Sequence, residues 1–309
     1  MRQFEYMQTF FSKLLLFGEH TVNLGSPALA MPFELYSGYW VEGNGAGKQQ
    51  DLFAYARYLY ELEWRGSNIL KLDTDAILRD LQAGKYFESS APAGYGVGSS
   101  GILTAALYER YGKEKPEANY RNFTVLKSGF AQMESFFHGT SSGLDPLISY
   151  LNEPLLITAQ GVTTVSLPSY LNPGNAIFII NTGIRRKAET LIHWFLQKTE
   201  NQSFREKLQG ELVEYNKAAI HSFLEGHWTK LMQSCHEISA FQFEELSPLI
   251  PDDYKNIWEK GLAGDDYKLK ICGAGGGGFI MGVTKDIEKA KTLLQQYDVT
   301  EVFPEILKN

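Results

Sequence analysis

The sequence predicts a mixed α and β protein built in two parts, and three observations carry that reading. At 309 residues the chain has room for about two domains with a substantial core. Short apolar runs bounded by Gly, Pro or Asn are interspersed with amphipathic stretches of helical period. Leu171-Asn172-Pro173-Gly174 is a turn-prone break, and it leads into the apolar run Ala176-Ile177-Phe178-Ile179-Ile180.

Taken in order, Lys13-Leu14-Leu15-Leu16-Phe17 predicts a buried strand that stops at Gly18. Glu19-His20-Thr21-Val22-Asn23-Leu24-Gly25 follows as a polar turn, then the apolar Ala28-Leu29-Ala30-Met31. Phe33-Leu35-Tyr36 and Tyr39-Trp40-Val41 read as further strands, and Gly43-Asn44-Gly45-Ala46-Gly47 as a loop. Leu52, Phe53, Ala56, Leu59 and Tyr60 predict an amphipathic helix over 49–63. A glycine-rich stretch at 92–100 opens a second helix, with Leu103, Ala106, Leu107 and Tyr111 on one face. Glu114-Lys115-Pro116-Glu117 breaks the pattern, and a helix is expected over 122–136. Thr140-Ser141-Ser142-Gly143-Leu144-Asp145-Pro146 reads as a permissive polar loop, with strands at 154–158 and 162–167. Beyond the break, the strand at 176–180 ends at Asn181-Thr182-Gly183, and a long helix is expected from near Lys187. Helical patterns fill 204–262. Lys268-Leu269-Lys270-Ile271-Cys272 and Phe279-Ile280-Met281-Gly282-Val283 are strands on either side of a glycine run. A helix at 285–297 and a strand at 299–303 close the chain.

Composition narrows the class. Hydrophobic residues make up 44% and charged residues 21%, as in an ordinary soluble globular protein. A formal net charge of -7 argues against nucleic acid or an acidic membrane as the main partner. An anionic small molecule stays compatible, because a small site needs only a few local cations. Cys235 and Cys272 form neither a metal-ligand pattern nor a disulfide framework, which fits a reducing compartment. No apolar run reaches membrane-spanning length, and Leu14–Phe17 is too short for a signal-peptide core. The expected location is the cytoplasm.

The stretch that organises the chain is Pro92-Ala93-Gly94-Tyr95-Gly96-Val97-Gly98-Ser99-Ser100. Glycines permit positive φ, so successive backbone N–H groups can point into one concavity. Ser99 or Ser100 is placed to cap the helix that follows, whose start favours an anion. The spacing matches neither the dinucleotide fingerprint nor the loop ending in Gly-Lys-Ser/Thr. On spacing alone the stretch is either a tight turn or a phosphate cradle.

The charged candidates each carry two readings. Asp145 is a turn residue before Pro146 or a carboxylate that takes a proton from a substrate hydroxyl. Lys13 is a solvated strand start or a cation aimed at a phosphate or a developing alkoxide. Glu19 and His20 sit at an open sheet end, where they bind substrate polar groups or merely satisfy backbone. Glu134 is a solvated helix residue or helps hold Mg2+ with phosphate oxygens. The run Gly273-Ala274-Gly275-Gly276-Gly277-Gly278 is longer than a hairpin turn needs, which suggests very close backbone approach. His193, His221, His227 and His236 show no ligand spacing.

Lys13 to Ala30, Pro92 to Ser100, and Lys270 to Gly278 together resemble three motifs of the GHMP kinase superfamily, in order and spacing. Phe137-His138-Gly139-Thr140-Ser141-Ser142-Gly143-Leu144-Asp145 resembles the segment that carries the aspartate of its mevalonate kinase branch. The resemblance implies an α+β, two-domain GHMP kinase fold: an N-terminal domain with a left-handed βαβ unit (1–172) and a ferredoxin-like C-terminal domain (173–309), the site between them. It implies an ATP- and Mg2+-dependent kinase acting on a small-molecule acceptor, mevalonate or a related alcohol, without nucleic acid or membrane, and it allows a homodimer. By position, Asp145 resembles the base and Lys13 the lysine that orients it. Pro92, Gly94, Tyr95, Gly96, Val97, Gly98, Ser99 and Ser100 resemble the ATP loop. Ser100 and Glu134 resemble the Mg2+ ligands, and Glu19, His20, Gly275 and Gly276 fall at acceptor-binding positions. Cys272 stands where Thr or Ser is usual and Phe279 where a smaller residue is. Ser141 replaces a common proline, and Gly101 a common alanine. The first two changes bear on the acceptor. Rival readings are a kinase of a sugar or of phosphomevalonate, and a non-catalytic nucleotide-binding module on the same scaffold.

Overall fold

The structure is a computed structural model and describes residues 8–43, 50–169, 171–186 and 188–303. Its first part runs β1 (Phe10–Phe17), β2 (Ala28–Val41), α1 (Gln50–Trp64), α2 (Thr74–Gln82), β3 (Tyr86–Ser89), α3 (Ser99–Tyr111), α4 (Phe123–His138), α5 (Leu144–Leu151), β4 (Leu155–Thr158) and β5 (Gly161–Thr164). The second runs β6 (Ala176–Asn181), α6 (Ala188–Lys198), α7 (Gln202–Lys207), a π turn (Leu208–Leu212), α8 (Val213–Leu224), α9 (Trp228–Glu245), α10 (Asp252–Ala263), β7 (Tyr267–Ile271), β8 (Phe279–Thr284), α11 (Ile287–Leu293) and β9 (Asp298–Glu301). This is the expected α+β class.

Each part has its own sheet. In the first, β2 is the spine: β1 pairs along one edge, while β4 takes the start of the other edge and β3 its end, with β5 outside β4. The second has the order β7-β8-β6-β9, with every neighbour antiparallel. With its connecting helices, that order is the split βαβ pattern of a ferredoxin-like domain.

Alternation along β1 explains how the parts join. Leu14 and Leu16 point into the core of the second part, with Phe17, Leu29 and Phe33. Leu15 faces the other way, into a core formed with Tyr55, Leu107, Leu126 and Phe130. A period of two on a central strand therefore feeds both cores. The second core also holds Cys235, buried on α9, and Trp258, whose Nε1–H donates to Ser239 O at 3.2 Å.

Several expectations are corrected. The strands read separately between 28 and 41 are one strand, β2. Pro32 lacks an N–H, but it lies where β2 pairs only with β1, between the short ladders to β4 and β3. The supposed loop at 140–146 ends early, because Leu144 already starts α5 and Pro146 sits in its first turn, where proline is tolerated. Thr74–Gln82 and Tyr86–Ser89 are a helix and a strand that sequence reading passed over, and the helix expected at 285–297 is Ile287–Leu293. The loop read at 43–47 lies largely outside the described residues, as does Lys187; α6 is described from Ala188. Among the described residues no helix is long and apolar enough to cross a membrane.

Gly143 fixes the junction of α4 and α5. Its φ is 71°, and a Cβ there would lie 2.0 Å from Lys127 O. Both effects resist a side chain, so Gly143→Ala is expected to cost about 3 kcal/mol, read as a lower urea midpoint.

Candidate active site

Gly94, Gly96 and Gly98, with φ of 84°, 75° and 76°, shape the loop between β3 and α3. Left-handed backbone at alternate positions is what glycine supplies without steric cost. The loop is tied to β1 through Lys13 N–H, which donates to Val97 O at 3.1 Å. Gly98 is the N-cap of α3, and no side chain caps the helix. The expected serine cap is thus corrected. Ser99 and Ser100 lie inside the first turn, and Ser100 Oγ–H donates instead to Glu134 Oε1 at 2.8 Å. The first N–H groups of α3 are left without a side-chain acceptor, the condition under which a helix start binds an anion.

Lys13 and Asp145 form an ion pair against this loop, with Nζ 3.0 Å from Oδ1. A Cβ on Gly98 would sit 3.1 Å from Asp145 Oδ2 and 3.2 Å from Lys13 Cγ. On Gly101 it would sit 2.8 Å from the Asp145 carbonyl carbon. Helix α5, which carries Asp145, is in turn tied to β1, because Ser149 Oγ–H donates to Phe11 O at 2.7 Å. Loop, strand and helix thus meet around one carboxylate.

Glu134 is the second carboxylate of the cluster and is buried. Its oxygens accept from Ser100 and Ser141, and Ser100 Oγ is also 3.0 Å from His138 Nε2. Burial first, and then the negative charge of Asp145, push the Glu134 pKa up to about 7. A buried carboxylate held beside a second one suits a site completed by a cation. Among the described residues, no group of three or more His, Cys, Asp or Glu could by itself hold a metal. Ser100 and Glu134 offer oxygen ligands too few for an all-protein cage, and they fit Mg2+ held jointly with phosphate oxygens.

On the facing side, the turn after β1 carries Glu19 and His20. Glu19 does not present a free carboxylate, for it forms a buried ion pair with Lys270 of β7, Oε1 to Nζ 2.6 Å. Burial raises the Glu19 pKa, while Lys270 opposes that rise. Lys270 also donates to Ile271 O at 3.0 Å. His20 has φ 65°, and its ring lies 4.9 Å from that of Phe195. Both ring nitrogens are buried and, among the described residues, without a partner in hydrogen-bond geometry. Burial pushes its pKa down to about 4, against a weaker pull from the Ala274 backbone.

Arg186 lies over the glycine loop: a Cβ on Gly96 would be 1.6 Å from Nη2, and one on Gly273 would be 2.5 Å from Nη1. That Nη1 is buried and has no hydrogen-bond partner among the described residues. Burial lowers the guanidinium pKa, with Cys272 and Asp145 close enough to pull the other way. Cys272 itself is buried, and burial raises its thiol pKa. Gly275 and Gly276 abut Leu249 and Leu191, and Gly278 abuts Tyr95 O of the loop. Tyr95 packs on Phe279, whose ring also meets Tyr36.

Of the residues singled out in the sequence, Lys13, Asp145, Ser100, Glu134 and the Gly94–Ser100 backbone come together in one cluster. Glu19 and His20 stand in a neighbouring turn, Glu19 already paired. Sequence reading passed over Lys270, although a lysine alternating with apolar residues inside a strand is itself a signal of a buried partner. The hydroxyls of Ser141 and Thr21 and the amide of Asn216 left no pattern to read.

Comparison with known proteins agrees with this architecture. Residues 219–298 match the family model described as GHMP kinases C terminal. A mevalonate kinase from Thermococcus onnurineus is 28% identical over 159 residues, which span 45% of this chain and 47% of that relative, about half its length. The Methanococcus jannaschii mevalonate kinase structure matches with a TM-score of 0.64 at 17% identity, over 97% of this chain and 98% of that one. A Streptococcus pneumoniae phosphomevalonate kinase in complex with phosphomevalonate and AMPPNP gives 0.65 at 13%, over 95% and 99%. A Lactococcus lactis galactokinase complexed with galactose gives 0.61 at 14%, over 96% and 93%. The chain has the GHMP kinase fold and resembles mevalonate kinase.

The buried imidazole sets a pH dependence. With its pKa lowered from 6.5 to about 4 in the folded chain, neutral His20 favours folding above pH 6.5, and that contribution is lost as pH falls through about 4. His20→Gln is expected to flatten the fall in urea stability between those limits by up to about 3 kcal/mol.

Proposed function

We propose that this chain transfers the γ-phosphoryl group of ATP to the primary hydroxyl of mevalonate. The observation that carries the reading is the Lys13–Asp145 pair pressed against Gly98, at the uncapped start of α3. A proton acceptor, a cation and a bank of backbone N–H groups there serve one small volume.

In this reading the Gly94–Ser100 backbone and the start of α3 hold the ATP phosphates. Asp145 takes the proton of the acceptor hydroxyl as its oxygen attacks. Lys13 holds that carboxylate in place and offsets charge developing on the transferring group. Ser100 and Glu134 would hold Mg2+, which when bound neutralises charge on the phosphate oxygens. Phosphoryl transfer asks the protein for positioning and charge compensation rather than a covalent intermediate, and these groups offer both. His20 and Arg186 border the space left for the acceptor, and the division between domains falls at 172/173. We place the enzyme in the cytoplasm.

A second reading keeps the reaction and changes the acceptor to phosphomevalonate or a hexose. Its support is Phe279, which together with Tyr95 and Tyr36 forms an aromatic wall where a smaller residue was expected.

ADP release with Mg2+ and ATP, measured against mevalonate, phosphomevalonate and hexoses, tests both. Turnover of mevalonate is expected. Turnover of another member alone moves the acceptor, and tight ATP binding without any turnover removes the kinase reading in favour of a nucleotide-binding module. Asp145→Asn is expected to lower turnover about 1,000-fold with ATP affinity nearly kept. Surviving turnover would refute its assignment as the base.

A further inference from the structure

The turn that carries Glu19 and His20 is held from the other half of the molecule by one amide. Asn216, on α8, is 2% exposed. Its Oδ1 accepts from Gly18 N–H at 3.2 Å. Its Nδ2 donates to Thr21 Oγ1 at 3.3 Å and to Leu212 O, the last residue of the π turn, at 3.0 Å. Gly18 and Thr21 flank Glu19 and His20, so the amide grips the turn at both ends.

The turn needs such a grip. Gly18 has φ 107° and His20 has φ 65°, a conformation that a residue with a side chain keeps only where its surroundings overdetermine it. Within the turn, Val22 N–H and Thr21 N–H both donate to Gly18 O, at 3.0 and 3.3 Å. Those bonds close the turn on itself but do not place it against the cleft. Placement comes from contacts with the second half, among them Asn216, the Glu19–Lys270 pair, the Phe195 ring beside His20 and the Gly273–Ala274 backbone. An Asn amide supplies an acceptor and two donor hydrogens on one short planar group, as the contacts to Gly18, Thr21 and Leu212 require. A buried, satisfied Asn could serve stability alone, but two of its three bonds go to the turn and one to its own helix.

The geometry points to Asn216 as a positioning residue for the acceptor: acting through Gly18 and Thr21, it sets where His20 stands without touching substrate. The assignment rests on the phosphotransfer reading for its kinetic consequence, and not for its structural one. Two readouts keep them apart. In Asn216→Ala, the His20 imidazole 1H–13C resonances are expected to shift while those of His138, across the site on α4, stay in place. In the same variant the acceptor KM is expected to rise about tenfold, with the KM for ATP within about twofold and kcat less affected. Thr21→Val removes one of the two bonds from Asn216 to the turn together with the bond from Thr21 Oγ1–H to Gly18 O, and about a threefold rise is expected; it carries the test if Asn216→Ala does not fold. Asn216→Asp, which keeps an acceptor for Gly18 N–H, is expected to fall between wild type and Ala. An unmoved His20 spectrum would overturn the proposal. So would a loss of kcat and melting temperature with both KM values unchanged, the signature of a purely structural amide. Should wild type phosphorylate no acceptor, the kinase reading fails alone, and the His20 spectrum still decides the role of Asn216.

Discussion

Everything in the candidate site depends on backbone meeting side chain with no Cβ between them. Gly98 and Gly101 bring the start of α3 against Asp145 and Lys13, at separations where an added methyl group would contact or overlap them. A helix start set a few ångströms further away would still carry its dipole, but the carboxylate would no longer share its field. Gly143 repeats the device one element later, where α5 turns off α4. The glycines are therefore a packing requirement that the arrangement of charges imposes on the chain.

The charges themselves are unevenly available. The chain is acidic as a whole, yet the cleft holds Lys13, Arg186 and Lys270. Lys270 is consumed by Glu19, and burial of that pair brings little stability, since desolvation offsets most of the attraction. Its effect is geometric, because it locks the turn after β1 to β7. Lys13 is shared with Asp145, and Arg186 keeps a buried N–H group without a partner among the described residues. The positive charge left for an anionic ligand lies beside the glycine loop, where Arg185 also stands against Gly94.

How far this was legible from sequence depended on whether the cause was local. The strand at 13–17, the helix after Ser99 and the hairpin strands around the glycine run follow from periodicity and turn residues, which act over a few positions. β2 was not legible as one strand, because Pro32 and Gly38 are breakers whose tolerance depends on which edge of β2 is paired. α5 was hidden because Gly143 and Pro146 mark a helix start and a loop equally well. In the site, Lys13, Asp145, Ser100 and Glu134 were legible through motifs. The partnerships Lys270–Glu19 and Asn216–Gly18 were not, since the residues are 251 and 198 positions apart and nothing local to either residue names its partner.

The two cysteines close the account from a different direction. Cys235 lies under the second sheet and Cys272 at the end of β7, both buried and both held as thiols, Cys235 with its pKa pushed up to about 12. Neither is a nucleophile at the surface, so oxidants and alkylating reagents reach these two thiols only when the packing over the second sheet opens. Modification of these thiols is therefore governed by how often the interior breathes, and a ligand that braces the second half would protect Cys272 from such damage without ever touching it.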